Sequence, residues 1–356
     1  MADIASYRES IEREVAQCFD EFNDRLPSEL SAQSTWALAA AREYCLRPSG
    51  KRIRGSLAAH VAQEVGDCSD DLAAKLGAYI ELMHNYLLVV DDVADQSMLR
   101  RGRPTIHERF IAEDHSSISR FDGEMIAINI GIMLQHIASW YSTKMPLDPA
   151  LFVQLSAVMN TNIAITGFGQ IDDVYQRWGR EGIDGRAIVR KYEQKSGYYT
   201  FVNPLQGGLL VGGKTDQSAK AAALRYGLPA GTTFQLHDDY SGIFADPAVT
   251  GKNNYDDIRE GTYTFLVHSA LENANTDDRA TLLALLGDPN ASEGSVAIVR
   301  DIFTRTGAKK KTEEKIDQEI QLAQDAAMNG QDVWGSVVGD SLSKLVDGLR
   351  VGQKGE

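Results

Sequence analysis

Apolar residues recur at three- and four-residue intervals along nearly the whole 356-residue chain, a pattern that restricts it to helices packed on helices. The breaks are short. They fall at RPSG (47–50), GRP (102–104), GLP (227–229) and ADPAVTGKNNYDD (245–257). Only 9 prolines occur, and alternating β-branched stretches are nearly absent. The spacing predicts helices over roughly 3–24, 30–46, 52–65, 70–95, 120–143, 149–178, 186–212, 215–245, 263–287, 292–328 and 331–350. No low-complexity linker and no repeat of fixed period divides the chain. The expected architecture is therefore one large all-α domain over residues 1–356.

Composition narrows the function classes. Hydrophobic content of 43% and charged content of 24% are those of a soluble globular protein. A net charge of -14 argues against nucleic acid and against an anionic membrane surface as partners. Cys18, Cys45 and Cys68 are odd in number and lack metal-ligand spacing, which suits a reducing cytosol. The opening MADIASYRES has no apolar signal core. The greasiest window, 125–140, is short and interrupted by Asn129, Gln135 and His136, so it is expected to be a buried helix and no transmembrane segment is predicted. The mixed-sign run AKKKTEEKID (308–317) is expected to be a solvated helix face.

The chemistry concentrates at LLVVDDVADQSMLRRGRPTIH, residues 87–107. On a helix Asp91 and Asp95 lie about 40° apart around the axis and one turn apart along it. Two carboxylates so placed repel unless a cation joins them, and their oxygens suit Mg²⁺ shared with a substrate phosphate. A DDxxD string alone is common on acidic surfaces. Arg100 and Arg101 follow it, however, and guanidinium is the preferred fork for phosphate oxygens, which points to a diphosphate site. The apolar run before the acids implies a greasy space for a hydrocarbon tail.

The theme repeats in FQLHDDYSGIFADPAVTGKNNYDDIREGTYT, residues 234–264. Gln235, Asp238 and Asp239 fall within a turn or so of one helix, Asp246 follows, and Lys252, Asp256 and Asp257 come after a loop. Each half alone reads equally as a polar helix end. Two DD pairs, each after an apolar helix and before basic residues, are harder to dismiss.

In order, GKRIR (50–54), HNYLLVVDDVAD, RRGRPT, GQIDD (169–173), KSG (195–197) and DDYSG to EGTYT resemble the motifs of the trans-isoprenyl diphosphate synthases of the polyprenyl synthetase family. The resemblance implies an isoprenoid synthase fold, a helical bundle around a central apolar cavity. It implies head-to-tail condensation of isopentenyl diphosphate with an allylic diphosphate (dimethylallyl, geranyl or farnesyl), three Mg²⁺ ions, and a homodimer, which the cysteine usage above places in the cytoplasm. Asp91, Asp92, Asp95 and Asp238 are then expected to hold metal, with Asp92 and Asp239 as neighbours behind the direct ligands. Arg100, Lys195 and Lys252 match residues that grip the allylic diphosphate. Lys51, Arg54, His84 and Arg101 match the isopentenyl diphosphate pocket. Gln170, with Asp173 nearby, and Gln235 match polar residues lining the reaction zone, and Ser196 is expected to bind substrate beside Lys195.

Product length in this family is set below the first aspartates, where Met83, Tyr86 and Leu87 stand here. An aromatic five residues before Asp91 resembles synthases that stop at twenty carbons. Wheel geometry puts Tyr86 about 140° around from Asp91 and favours Leu87 as the floor, so Tyr86 also reads as ordinary packing. Three departures stand out. Gly242 and Thr262 occupy places where relatives commonly have an aspartate and a lysine, and Ser196 replaces the commoner threonine. The alternatives are a farnesyl or longer-chain synthase, a non-catalytic subunit, and a class I terpene cyclase. A non-catalytic subunit characteristically loses the first aspartates, and a cyclase needs a triad absent near residue 238. The Glu81/His84 pair resembles half of a di-iron element, but no second ExxH occurs.

Overall fold

A computed structural model describes residues 2–114, 118–178, 183–246 and 254–351. Almost all regular structure in these residues is helical, as the periodicity predicts. The chain forms two compact units, Met1–Ser156 with Pro204–Thr215, and Ala157–Asn203 with Asp216–Glu356.

In the first unit the helix Asp70–Ala94 is the axis, packed against Arg120–Ser142, Ile53–Val65, Arg8–Asn23 and Ala32–Cys45. Its start is fixed by Ser69, whose hydroxyl accepts the Leu72 N–H. Close approach in this unit depends on glycine. A side chain at Gly66 would strike the backbone of Gly212, and one at Gly55 the carbonyl of Gly77.

In the second unit the helix Gln217–Phe244 is central. It packs on Glu193–Val202, Ala308–Asn329 and Gln331–Asp347. Glu193–Val202 is a π-helix, a wide-turned form rare enough to mark a functional segment, and it contains KSG. The predicted 186–212 helix is thus three pieces: Gly185–Tyr192, the π-helix, and Asn203–Val211. Pro204, lacking an N–H, follows the widened turns, and the Asn203 N–H reaches the Tyr198 carbonyl five residues back.

Other differences from the expected boundaries have local causes. GRP is not merely a break but the tip of a two-stranded hairpin, Leu99–Arg100 with Arg103–Pro104. Arg101 (φ 56) and Gly102 (φ 72) supply the two positive φ angles of a tight hairpin turn. A short helix, Ile106–Asp114, follows it; only Ile106, Phe110 and Ile111 give it an apolar stripe, too few to read as periodic. The predicted 263–287 helix stops at Ala274 because Asn275 caps a new one, its side chain accepting the Asp278 N–H. The predicted 292–328 helix breaks at Gly307, which is left-handed at φ 79.

One expectation needs qualifying. Pro149–Arg177 is long and apolar enough to cross a membrane by length and composition, with only 22% of its most apolar stretch buried. Its last turns nevertheless carry Asp173, buried and bonded to two lysines, a poor arrangement for a lipid-facing span.

Candidate functional site

The first acidic cluster closes the helix Asp70–Ala94, with Asp95 at its C-cap and the Asp95 N–H bonded to the Asp91 carbonyl at 2.8 Å. Helix carbonyls already make this end electronegative, and no basic residue occupies its last turn. Cationic charge must come from elsewhere. The hairpin brings Arg100, whose Nε donates to Asp92 Oδ1 at 2.6 Å and whose Nη2 lies 3.3 Å from Asp91 Oδ2. Burial disfavours this guanidinium, but Asp92 and Asp91 outweigh it and hold its pKa above the ordinary value.

The adjacent aspartates differ sharply. The Asp91 side chain is 25% exposed and that of Asp92 only 1%. Tyr44 donates its hydroxyl to Asp92 Oδ2 at 2.6 Å, so both Asp92 oxygens already accept hydrogen bonds inside the protein. Asp92, expected with Asp91 and Asp95 to hold metal, is turned inward here, its carboxylate engaged by Tyr44 and Arg100. Asp91 and Asp95 remain at the surface of the helix end, half-buried.

Beside them lies a basic group from GKRIR and the hairpin. Lys51 is exposed and Arg54 half-buried. Arg54 Nη1 stands 3.4 Å from His84 Nε2. Burial, then the guanidiniums of Arg54 and Arg101, holds His84 well below its ordinary pKa, so it is a neutral imidazole facing a cation. Arg52, which the sequence reading did not single out, is buried in a left-handed conformation (φ 52) and bonds Glu12 and the Arg47 carbonyl. A side-chain carbon at Gly50 would come within 2.6 Å of the Arg52 guanidinium and 2.8 Å of that of Arg101. Two guanidiniums converging on a bare glycine make a natural seat for an anion. Glu81 Oε1 accepts the Gly55 N–H at 2.9 Å, tying the start of the helix Ile53–Val65 to the aspartate helix. Met83 and Tyr86 are buried on that aspartate helix and Leu87 is half-buried.

The second cluster repeats the arrangement in the other unit. Asp238 is exposed and Asp239 buried. Asp239 Oδ2 accepts from the Tyr192 hydroxyl, and Oδ1 from Gln235 Nε2 at 2.8 Å. Burial pushes the Asp239 carboxyl up to about 6, against the pull of those two donors. Ser196 donates to Gln235 Oε1 at 2.5 Å, which fixes the Gln235 amide. Gly169 lies against the backbone of Lys195, and Gly231 against that of Gly197, so the glycines of GQIDD and KSG let three helical segments meet closely.

Lys195 does not stand clear. Its ammonium bonds Asp173 Oδ2 at 2.8 Å, while Lys191 bonds Asp173 Oδ1 at 2.9 Å and the Tyr263 carbonyl at 3.0 Å. Arg177 adds a contact at 3.4 Å. Lys191, Tyr192 and Tyr44 escaped the sequence reading. Only Lys191 left a signal, since four residues of helix put it on the same side as Lys195. Among the described residues the buried Gln170 side-chain nitrogen has no hydrogen-bond partner, leaving a donor for a ligand. Lys252 lies outside the described residues.

The departures at Gly242 and Thr262 acquire a local explanation. A side-chain carbon at Gly242 would collide with the Asp257 carboxylate, which fills the space the glycine leaves. Asp257 thus brings a carboxylate one turn beyond Asp238. Thr262 takes no cationic role; its hydroxyl lies 3.4 Å from Glu260 Oε2.

Among the described residues, no three acids, histidines or cysteines gather closely enough to enclose an ion by themselves. The donors suit Mg²⁺ none the less. It is a hard ion that favours carboxylate oxygen and is commonly held by one or two protein carboxylates plus substrate phosphates.

Known proteins resemble this chain over most of its length. The family model described as "Polyprenyl synthetase" matches residues 36–303. The short chain isoprenyl diphosphate synthase of Methanothermobacter thermautotrophicus is 31% identical over 291 residues, 80% of this chain and 82% of that one. The geranylgeranyl diphosphate synthase of Saccharolobus solfataricus is 28% identical over 75% of this chain and 76% of its own. Among solved structures, geranylgeranyl pyrophosphate synthase from Corynebacterium glutamicum, complexed with isoprenyl diphosphate and magnesium, superimposes with a TM-score of 0.89. It covers 99% of this chain and 100% of that one at 25% identity.

Proposed function

The chain belongs to the polyprenyl synthetase family and is a trans-prenyltransferase with polyprenyl diphosphate synthase activity; from that premise we propose that it extends an allylic diphosphate with isopentenyl diphosphate and stops at geranylgeranyl diphosphate. The observation that carries the reading is the pairing of an outward aspartate with guanidiniums: Asp91 beside Arg100, and Arg52 with Arg101 at Gly50.

In this reading Asp91, Asp95 and Asp238 hold Mg²⁺, three ions in all, with Asp92 and Asp239 as their supports. Bound there, Mg²⁺ neutralises the allylic diphosphate and stabilises the negative charge that develops as its carbon–oxygen bond breaks. Arg100, Lys195 and Lys252 match residues that grip an allylic diphosphate. Lys51, Arg54 and Arg101 bind isopentenyl diphosphate, and neutral His84 orients Arg54 by accepting from its guanidinium. Gln170, Ser196 and Gln235 present fixed polar groups where the allylic cation meets the double bond, and the departing diphosphate takes the final proton. Apolar walls, with Met83, Tyr86 and Leu87 at the floor, exclude water from the cation. The relatives named as geranylgeranyl synthases support twenty carbons as the stopping length.

We read the two compact units as one synthase domain, supported by the family match that runs through both. A homodimer in the cytoplasm fits two further observations. Val153, Phe168, Ile171 and Tyr175 are exposed along Pro149–Trp178, an apolar row for a second copy to cover. All three cysteines are free and buried.

The test incubates the purified protein with Mg²⁺, isopentenyl diphosphate and each allylic primer, then chromatographs the dephosphorylated products. A twenty-carbon linear alcohol is expected. A linear product of another length overturns the chain-length reading alone. Cyclic hydrocarbon, or no elongation with any primer, overturns the synthase reading.

A further inference from the structure

We propose that Tyr44 and Tyr192 are positioning residues that turn one aspartate of each DD pair inward and thereby aim its neighbour at magnesium; the inference rests on the metal-binding role given above to Asp91 and Asp238. Both tyrosines are buried, both lie far in sequence from the aspartate they hold, and the contact is the same in each unit. Tyr44 donates to Asp92 Oδ2 at 2.6 Å while Arg100 holds Oδ1. Tyr192 donates to Asp239 Oδ2 while Gln235 holds Oδ1. Each carboxylate is therefore held by a different residue at each oxygen, from two directions.

Successive residues on a helix are rotated by about 100°, so two neighbouring aspartates cannot share an environment. Pinning the second inward fixes the azimuth of the first. Asp91 is accordingly a quarter exposed and Asp238 exposed, while Asp92 and Asp239 are buried.

Each tyrosine also ties its pair to the segment bearing neighbouring groups. The Tyr44 ring lies 4.6 Å from the Arg47 guanidinium, which donates to the carbonyls of Arg100 and Pro104 and so holds the hairpin that carries Arg100. The Tyr192 hydroxyl accepts the Phe265 N–H at 2.8 Å, tying Asp239 to the helix that follows EGTYT.

The test substitutes Tyr44→Phe and Tyr192→Phe, each keeping the ring and deleting the hydroxyl. Tyr226→Phe is the control, since it removes a buried hydroxyl that, among the described residues, bonds only the Leu342 carbonyl, at 2.9 Å. Inorganic pyrophosphate is titrated calorimetrically into each protein at stepped Mg²⁺ concentrations. Loss of a hydrogen bond to a charged group predicts a rise of about tenfold in half-saturating Mg²⁺ for Tyr44→Phe and Tyr192→Phe, and no rise for Tyr226→Phe. In turnover, KM for the allylic substrate rises at limiting Mg²⁺ and recovers at high Mg²⁺, with KM for isopentenyl diphosphate unchanged. Melting in Mg²⁺-free buffer verifies each fold, and since the clamps lie in separate units, either variant tests its own pair if the other does not fold. Equal Mg²⁺ dependence in the Phe variants and the wild type, or an equal shift in Tyr226→Phe, overturns the inference. Wild-type protein that binds no pyrophosphate with Mg²⁺ overturns the metal-site reading itself, and the inference with it.

Discussion

Replacing Asp173 with asparagine preserves the shape of the side chain and deletes the one negative charge that Lys191, Lys195 and Arg177 share. The three cations do not suffer equally. The Lys191 side chain is 1% exposed and cannot reach water without unfolding its surroundings, whereas Lys195, at 19%, can swing outward. Removing one partner of a buried ion pair typically costs about 3–5 kcal/mol, because the other charge is left uncompensated. Asp173→Asn should therefore cost about 3–5 kcal/mol, dominated by stranded Lys191. The reverse deletion, Lys191→Met, leaves Asp173 with Lys195 and Arg177 and should cost only about 1–3 kcal/mol. Urea unfolding of the two variants measures the asymmetry. Acid adds a sign check. Burial opposes the Asp173 charge, yet Lys195 and Lys191 hold its carboxyl well below the ordinary 3.8. Its contribution is then complete above pH 3.8 and is lost only as the pH falls below that, so wild type and Asp173→Asn should run parallel from pH 5 to 8. An Asp173→Asn variant no less stable than Lys191→Met, or a gap that closes near neutrality, refutes the reasoning.

Tyr86→Ala should lengthen the prenyl product by at least one five-carbon unit, read by chromatography of the dephosphorylated alcohols; an unchanged product returns Tyr86 to simple packing. Gly242→Ala puts a methyl group where the Asp257 carboxylate sits. Since the end of a side chain can move aside, stability should fall by less than about 1 kcal/mol while Mg²⁺-dependent turnover drops about tenfold, as steady-state kinetics will register. Burial and nearby guanidiniums hold His84 below its ordinary 6.5, so the unfolded chain takes up a proton that the folded chain refuses. Stability should decline as the pH falls through 6.5, and His84→Gln should flatten that slope by up to about 1.4 kcal/mol per pH unit in denaturant titrations. His107 and His268, lowered in the same direction, leave a residual slope.

The all-helical class was legible because periodicity is a local property, written in each segment without reference to its neighbours. What the sequence hid was set by partners far along the chain. Asp91 and Asp92 are the same letter twice, and nothing adjacent says which one faces inward. The decision belongs to Tyr44, which lies 48 residues from Asp92. Arg52 and Arg54 likewise look interchangeable in GKRIR until backbone geometry buries one and leaves the other half-buried. The π-helix escaped because ten residues bonded i→i+5 are too few to set up an apolar period of their own. Its glycine contacts follow only from tertiary packing.

The first acidic cluster also explains why its charge signs alternate along the chain. The helix Asp70–Ala94 begins with Asp70 and Asp71, where acids are favoured by the exposed N–H groups, and ends on Asp91, Asp92 and Asp95, where acids oppose the carbonyl end. A fold selected for stability alone would place lysine or arginine in that last turn, and none is present. Arg100, arriving from the hairpin rather than from the helix itself, contacts Asp92 and Asp91. Neutralising the surface acids by Asp91→Asn and Asp95→Asn together should therefore raise thermal stability in Mg²⁺-free buffer, by about 0.3–1 kcal/mol for each charge removed from the helix terminus. The same double variant should lose Mg²⁺-dependent pyrophosphate binding. A variant that becomes less stable without Mg²⁺ would mean that these acids serve the fold, and that their unfavourable placement has some cause other than a bound cation.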